Sequence, residues 1–212
     1  MRIDPFSDAF NFLGHAALAG VFIALVVISL ATAAACLFRY PGQRAIKHLV
    51  TYVLRFFMGC MWWQQTLWKL PPTYTDLPDG SGGLAYWVSK MVQGAAFPLH
   101  SDFVQYVVQP NFRLFAPVVY ATEVFIGVSL ILGVFTRLGG LLGALMAINL
   151  WLGLYRTPGE WPWTYFFLIV VQLMFVLRPP GRSLGIDALA IRERTHPPVT
   201  DGWPLRLLGL VT

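Results

Sequence analysis

Charge is scarce in this chain. Only 12% of its 212 residues are Asp, Glu, Lys or Arg, while 57% are hydrophobic; an ordinary soluble domain carries about 25% charged residues. A soluble fold of this size needs charge on its surface, whereas a fold whose solvent is lipid has an apolar exterior. Cysteine is scarce too. Cys36 and Cys60 are the only two, both inside apolar runs and without CxxC or metal-ligand spacing, so they read as inert buried thiols. No Rossmann glycine fingerprint, P-loop or HExxH occurs. His15, His48 and His100 lie in three separate regions. A bis-histidine haem would need two histidines inside spans at matched depth, so neither haem nor metal is expected. The net charge is +5, but the basic residues cluster beside apolar runs, which is a membrane pattern and not a nucleic-acid footprint.

Five apolar runs are present, at about residues 14–38, 52–70, 114–135, 138–155 and 163–177. A span needs roughly 20 residues, and about 17 can suffice; the last run reaches that length if Trp161 and Pro162 open it. The first run is not a signal peptide by pattern, because Arg2 is offset by Asp4 and Asp8 and the apolar core is too long. With five spans, one side holds Arg39, Arg44, Lys47, Arg137, Arg178, Arg182, Arg192, Arg194 and Arg206, and the other holds Arg2, Lys69, Lys90, Arg113 and Arg156. That bias puts the N-terminus outside and the C-terminus in the cytoplasm. The reading is an all-α integral membrane protein of about five transmembrane helices in a prokaryotic plasma membrane.

The outer loop, 71–113, opens with Pro, Gly and Asp and is irregular there. Then Leu84, Trp87, Val88, Met91, Val92 and Ala95 recur at helical spacing, predicting an amphipathic helix on the bundle mouth or in the headgroup layer. A shorter helix with Ser101 as N-cap is predicted through Phe103, Val104, Val107 and Val108, stopping at Pro110. Together they form an ordered outer cap. A helix near 186–194 and an interfacial tail with Trp203, Leu205, Arg206, Leu207, Leu208 and Leu210 follow the last run. Trp161, Trp163 and Tyr165 suit an aromatic belt.

Polar residues inside spans need a partner or a task. At about 1.5 Å per residue, Glu123, Asn149, Gln64 and Gln65 fall at one level, roughly 17–20 Å from the cytoplasmic helix ends; Arg55 and Gln172 fall at a second level nearer the cytoplasm. On the second run Arg55, Gly59, Trp62, Thr66 and Lys69 share a stripe that faces the bundle interior. On the third, Glu123 shares a face with Tyr120 and Gly127, and on the fourth Gly139, Gly143 and Ala147 make a small-residue seam. Glu123 reads either as a proton acceptor or hydrogen-bond group for a bound ligand, or as a buried acid tying helices together through Arg55, Gln65 or Asn149. Arg55 reads as structural, snorkelling or bridging to Glu123, and Lys69 as a snorkelling anchor. Trp62, Trp63 and Trp68 read first as packing.

The segments Arg55-Phe-Phe-Met-Gly59 through Lys69, Phe115-Ala-Pro117 through Glu123 with Leu132-Gly-Val-Phe-Thr136-Arg137, Asn149-Leu-Trp151 with Glu160-Trp-Pro-Trp-Thr-Tyr165, and Pro180-Gly-Arg-Ser-Leu-Gly-Ile-Asp187 resemble, in this order, the conserved segments of the DoxX/DoxD superfamily of small four-helix membrane proteins. Tyr86-Trp87 through Pro110-Asn-Phe112 resembles more narrowly the DoxD type, the small subunit of thiosulfate:quinone oxidoreductase. The resemblance implies an extra N-terminal span and cytoplasmic loop (1–50), a four-helix membrane domain (51–190) including the outer cap, and the tail (191–212). It implies a membrane subunit of a quinone-linked oxidoreductase, surrounded by lipid and joined to one or more protein partner subunits. Glu123 and Arg55 would then be catalytic. Trp62, Trp63, Gln65, Tyr120 and Asn149 would border the quinone, and Lys69, Arg113 and Arg156 would attract the anionic donor. Two other readings stand beside it: a non-catalytic anchoring subunit of a larger respiratory or photosynthetic complex, and, last in rank, a small-molecule or lipid carrier coupled through Glu123.

Overall fold

The computed structural model describes residues 18–74 and 82–192. The N-terminal charges with His15, part of the irregular outer segment, and the tail with Arg194 and Trp203 lie outside the described residues. All regular structure among the described residues is helical: α1 (Ala19–Arg39), a tight turn at Pro41–Arg44, α2 (Ile46–Leu67), α3 (Gly83–Gly94), α4 (Pro98–Phe103) running into a π-helical segment (Val104–Val108), α5 (Phe112–Leu132), α6 (Thr136–Leu154), α7 (Pro162–Leu177), a second tight turn (Pro180–Arg182) and α8 (Ile186–Arg192).

By length and composition α1, α5 and α6 can cross a membrane. Helix α2 has 22 residues but is not among them; it carries Lys47, Arg55, Gln64 and Gln65. Helix α7 is strongly apolar yet only 16 residues long. Pro162 occupies its first turn, where a missing N–H is harmless.

Small residues set the helix spacing. A Cβ at Gly59 would stand 2.7 Å from the backbone nitrogen of Ile131, and one at Gly127 would stand 3.1 Å from that of Trp63, so α2 and α5 meet backbone to backbone. The glycine seam of α6 divides between two neighbours. A Cβ at Gly139 would collide with Ser129 Oγ on α5, and one at Gly143 would meet the Gln172 amide carbon on α7 at 2.6 Å. Helix α1 is tied in and not appended: Ser29 Oγ donates to the Ile131 carbonyl at 2.6 Å and lies 3.2 Å from the Tyr52 hydroxyl.

At the end of the bundle where α5 turns into α6, the chain folds into a clasp. Gly133 ends α5 at φ 71° and Phe135 precedes α6 at φ 51°, both left-handed. The first suits glycine; Phe135 holds its strained backbone with outside help. Asp187 supplies that help, accepting from Phe135 N–H at 2.9 Å, Thr136 N–H at 3.2 Å and Thr136 Oγ at 2.9 Å. The carboxylate thereby caps the α6 N-terminus, whose free N–H groups favour a negative charge. Gln43 brings the α1–α2 turn into the same joint, donating to the Arg182 carbonyl and accepting from Leu184 N–H.

The helical cap that follows α2 forms largely as its periodicity predicts. Leu84, Val88, Met91 and Ala95 are buried, on the inner side of α3. The second cap helix differs in its start. It opens at Pro98, and Ser101 does not cap it; Ser101 Oγ donates instead to the Val92 carbonyl of α3 at 2.7 Å. A proline with φ already fixed begins a helix more readily than a serine one turn later.

Candidate functional site: a cavity under the outer cap

The stripe on α2 turns inward as its composition requires. Arg55, Gly59, Trp62, Thr66 and Lys69 are all buried. Two of them are cations, and each is neutralised differently. Arg55 donates through Nη1 to the carbonyls of Leu130 and, at 2.9 Å, Ile131, and its guanidinium lies 5.2 Å from the Tyr52 ring centroid. It therefore occupies the free carbonyl end of α5, where a cation is favoured. The bridge from Arg55 to Glu123 does not form: Glu123 lies eight residues before Ile131 on α5, about 12 Å along the helix.

Lys69 is the partner of Glu123. Its ammonium lies 2.6 Å from both carboxylate oxygens, and both side chains are about 4% exposed. This corrects the expectation that Lys69 snorkels outward. The residue follows the end of α2, and the long aliphatic stem that could carry its charge to water instead carries it back into the bundle. A carboxylate in an apolar interior draws it there, since neither charge is tolerable alone. The Trp68 ring, 4.3 Å from Lys69 Nζ, adds a cation–π contact.

The ion pair lies on the wall of a cavity of about 980 Å³, at the upper end of the range for ligand pockets. Its walls come from α2, the cap helix α3, the π-helical segment, α5, α6 and α7. Most of the lining is apolar or aromatic, with Trp62, Trp68, Trp87 and Tyr165 the large rings; Lys69, Glu123, Gln65, Asn149, Glu160 and Thr164 are polar. Trp62 is 1% exposed and its indole N–H has no protein partner.

Of the residues singled out from the sequence, Glu123, Lys69, Trp62, Gln65 and Asn149 line this one cavity, so three of the four side chains placed at one depth converge. Gln64 is exposed. Trp63 turns to the other side of α2, against Leu25, Ile131 and Phe22. Tyr120 packs edge-on to Tyr74, 6.1 Å between centroids. Arg55, Arg113 and Arg156 do not line the cavity; Arg156 is exposed and donates to the Ala96 carbonyl at 3.2 Å. Asn149 has its partner in the cap, His100 Nε2 at 3.2 Å.

Sequence reasoning passed over Glu160 and Tyr165. Tyr165 is half-buried, not at the surface with Trp161 and Trp163 as a belt would have it, and its hydroxyl donates to Glu160 Oε2 at 2.6 Å. Their five-residue spacing across the start of α7 is not a helical i, i+4 pair, and only the turn at Trp161 and Pro162 brings them together.

Neither the curated proteins nor the solved structures contain a match to this chain. A family model described as "TQO small subunit DoxD" matches residues 50–207. The matched stretch begins near the start of α2 and includes the cap, α5, α6, α7 and the Asp187 clasp, and with them the whole cavity wall. With its apolar helices, this chain is a membrane protein that belongs to the DoxD family.

Proposed function

We propose that the chain is the quinone-handling membrane subunit of an oxidoreductase of the thiosulfate:quinone type, and that the cavity beneath the cap receives the quinone ring. The observation that carries this is a buried Lys69–Glu123 ion pair on the wall of a large cavity otherwise built from aromatic and aliphatic side chains. A quinone ring is flat, apolar on its faces and polar at two oxygens, and this wall supplies matching groups. Trp68 and Trp87 offer ring surfaces, and the Lys69 ammonium is a donor for one ring oxygen. A bound quinone would supply a two-electron, two-proton acceptor.

The chain's part is electrostatic and protonic. Lys69 holds positive charge where negative charge would develop on the ring oxygen, in a site with little water to compete. Glu123, 2.6 Å away, keeps that ammonium in place; once the ammonium has given a proton to the reduced ring oxygen, Glu123 that has taken a proton from water can restore it. Aqueous access would run through Asn149 and His100 at the cap. In this reading α2 and α7 also cross the bilayer, which gives five spans with the N-terminus outside. The clefted outer cap then faces the partner subunit that oxidises the anionic donor.

Titration of the purified protein with decylbenzoquinone tests the proposal. Saturable quenching of tryptophan fluorescence is expected, and it disappears in Lys69→Met/Glu123→Leu. A linear, non-saturating quench in the unaltered protein would reject the reading.

A further inference from the structure

We infer that the cavity binds the reduced, hydroquinone form of its ligand more tightly than the oxidised quinone, and that Glu160 and Tyr165 create this preference. The inference rests on the quinone reading above and adds to it the redox form that the site selects.

The cavity has a second polar pair, on α7. Glu160 and Tyr165 both line it, and the Tyr165 hydroxyl donates its one proton to Glu160 Oε2 at 2.6 Å. What this pair presents to a ligand is therefore acceptors: the phenolic lone pair and the second carboxylate oxygen. The α2–α5 wall is the reverse, because the Lys69 ammonium has protons to give and no lone pair to receive one. One wall offers a donor and another offers acceptors.

The two redox forms of a para-quinone answer this arrangement differently. In the quinone both ring oxygens are carbonyls and accept only. One is satisfied by Lys69, while the other finds lone pairs opposite lone pairs at Glu160 and Tyr165. Uptake of two electrons and two protons turns both carbonyls into hydroxyls. Each hydroxyl can accept from Lys69 or donate to Glu160 and Tyr165, so the hydroquinone satisfies both walls and the quinone satisfies one. A site that leaves a buried polar group facing the wrong partner discriminates strongly; only about tenfold is expected here, because Glu160 and Tyr165 are partly buried and Thr164 and Asn149 add further polar groups to the wall. Preference for the reduced form raises the potential of the bound couple, by about 30 mV for a tenfold ratio of a two-electron couple. The site would thus help draw electrons onto the ring.

Calorimetric dissociation constants for decylbenzoquinone and for decylhydroquinone under anaerobic reductant, in the unaltered protein, Tyr165→Phe and Glu160→Gln, test this. The unaltered protein should bind the hydroquinone about tenfold more tightly. Tyr165→Phe, which keeps the ring, should bring the ratio near one, and Glu160→Gln, which introduces a donor, should bring it to one or below, while unfolding temperatures fall by only a few degrees. A tenfold ratio persisting in both variants, or equal affinities in the unaltered protein, overturns the inference and leaves the quinone site standing. If neither form binds the unaltered protein, this inference and the quinone reading both fall.

Discussion

Replacing Lys69 by Met keeps the length of the side chain and removes its charge, leaving the Glu123 carboxylate about 4% exposed and without its cation. A charge stranded in this way typically destabilises by about 3–5 kcal/mol. An independent route gives a similar figure. The stranded carboxyl avoids the penalty by taking up a proton, and from a reference value of about 4.3 that costs about 1.4 kcal/mol per pH unit, or close to 4 kcal/mol at pH 7. For a chain of this length each kcal/mol lowers the unfolding temperature by about 2–4 °C, so Lys69→Met should unfold about 10 °C below the unaltered protein. The double variant Lys69→Met/Glu123→Leu replaces the pair by apolar groups of similar size and should recover most of the loss. The deficit of the single variant has a further signature. A neutral buried acid favours the fold most at low pH and progressively less as pH rises, so the deficit should narrow by about 2 kcal/mol between pH 7 and pH 5.5. Tryptophan-fluorescence melting in detergent reads all three. A single-variant loss of 2 °C or less, or one unchanged between the two pH values, would refute the buried ion pair as the device joining the end of α2 to α5.

Asp187→Ala strands the N–H groups of Phe135 and Thr136 and should destabilise by about 1–2 kcal/mol, while leaving decylbenzoquinone affinity within twofold. Gly59→Ala forces a methyl to within 2.7 Å of the Ile131 backbone nitrogen and should lower the melting temperature by several degrees, overpacking being worth about 1–3 kcal/mol. Trp62→Phe should remove a large share of the quinone-dependent fluorescence quench, whereas Trp63→Phe, on the other side of α2, should leave it nearly intact; equal losses would place the ligand elsewhere.

The helices were legible because lipid imposes a coarse, one-dimensional code of apolar runs with charges at the ends, and α1, α5 and α6 obey it. The inward stripe was legible from helical phase, since Arg55, Thr66 and Lys69 are polar residues that lipid disfavours and Gly59 and Trp62 fall on the same face. What phase does not carry is the partner. The sequence offers Arg55, Gln65 or Asn149 to Glu123 and reads Lys69 as a snorkelling anchor; the outcome turns on axial offset and on the free carbonyls at the end of α5, neither of which is written along the chain. Glu160 and Tyr165 escaped for a related reason, as their meeting depends on the geometry of the turn into α7. The outer arginines, Arg113 and Arg156, were grouped with Lys69 by side of the membrane, a property that many residues share without being neighbours.

Arg55 on α2 and Lys69 just beyond its end show how two buried cations of one stripe can be held in different ways. Arg55 and Lys69 are 14 residues apart, about 21 Å along a helix, and on the same stripe. Arg55 is held by backbone carbonyls of the neighbouring helix, which stay fixed as long as α5 does, so its charge is a permanent part of the joint where α5, α6 and α8 converge. Lys69 is held by a carboxylate, a group that can itself gain or lose a proton, and it does this on a cavity wall and not in a sealed interface. The segments by which the chain resembles its family divide along the same line. Those around Gly133 and Asp187 build the joint, and those around Lys69, Glu123 and Glu160 build the cavity. The family likeness therefore covers two separate structures, and only the second is expected to respond when quinone binding is perturbed.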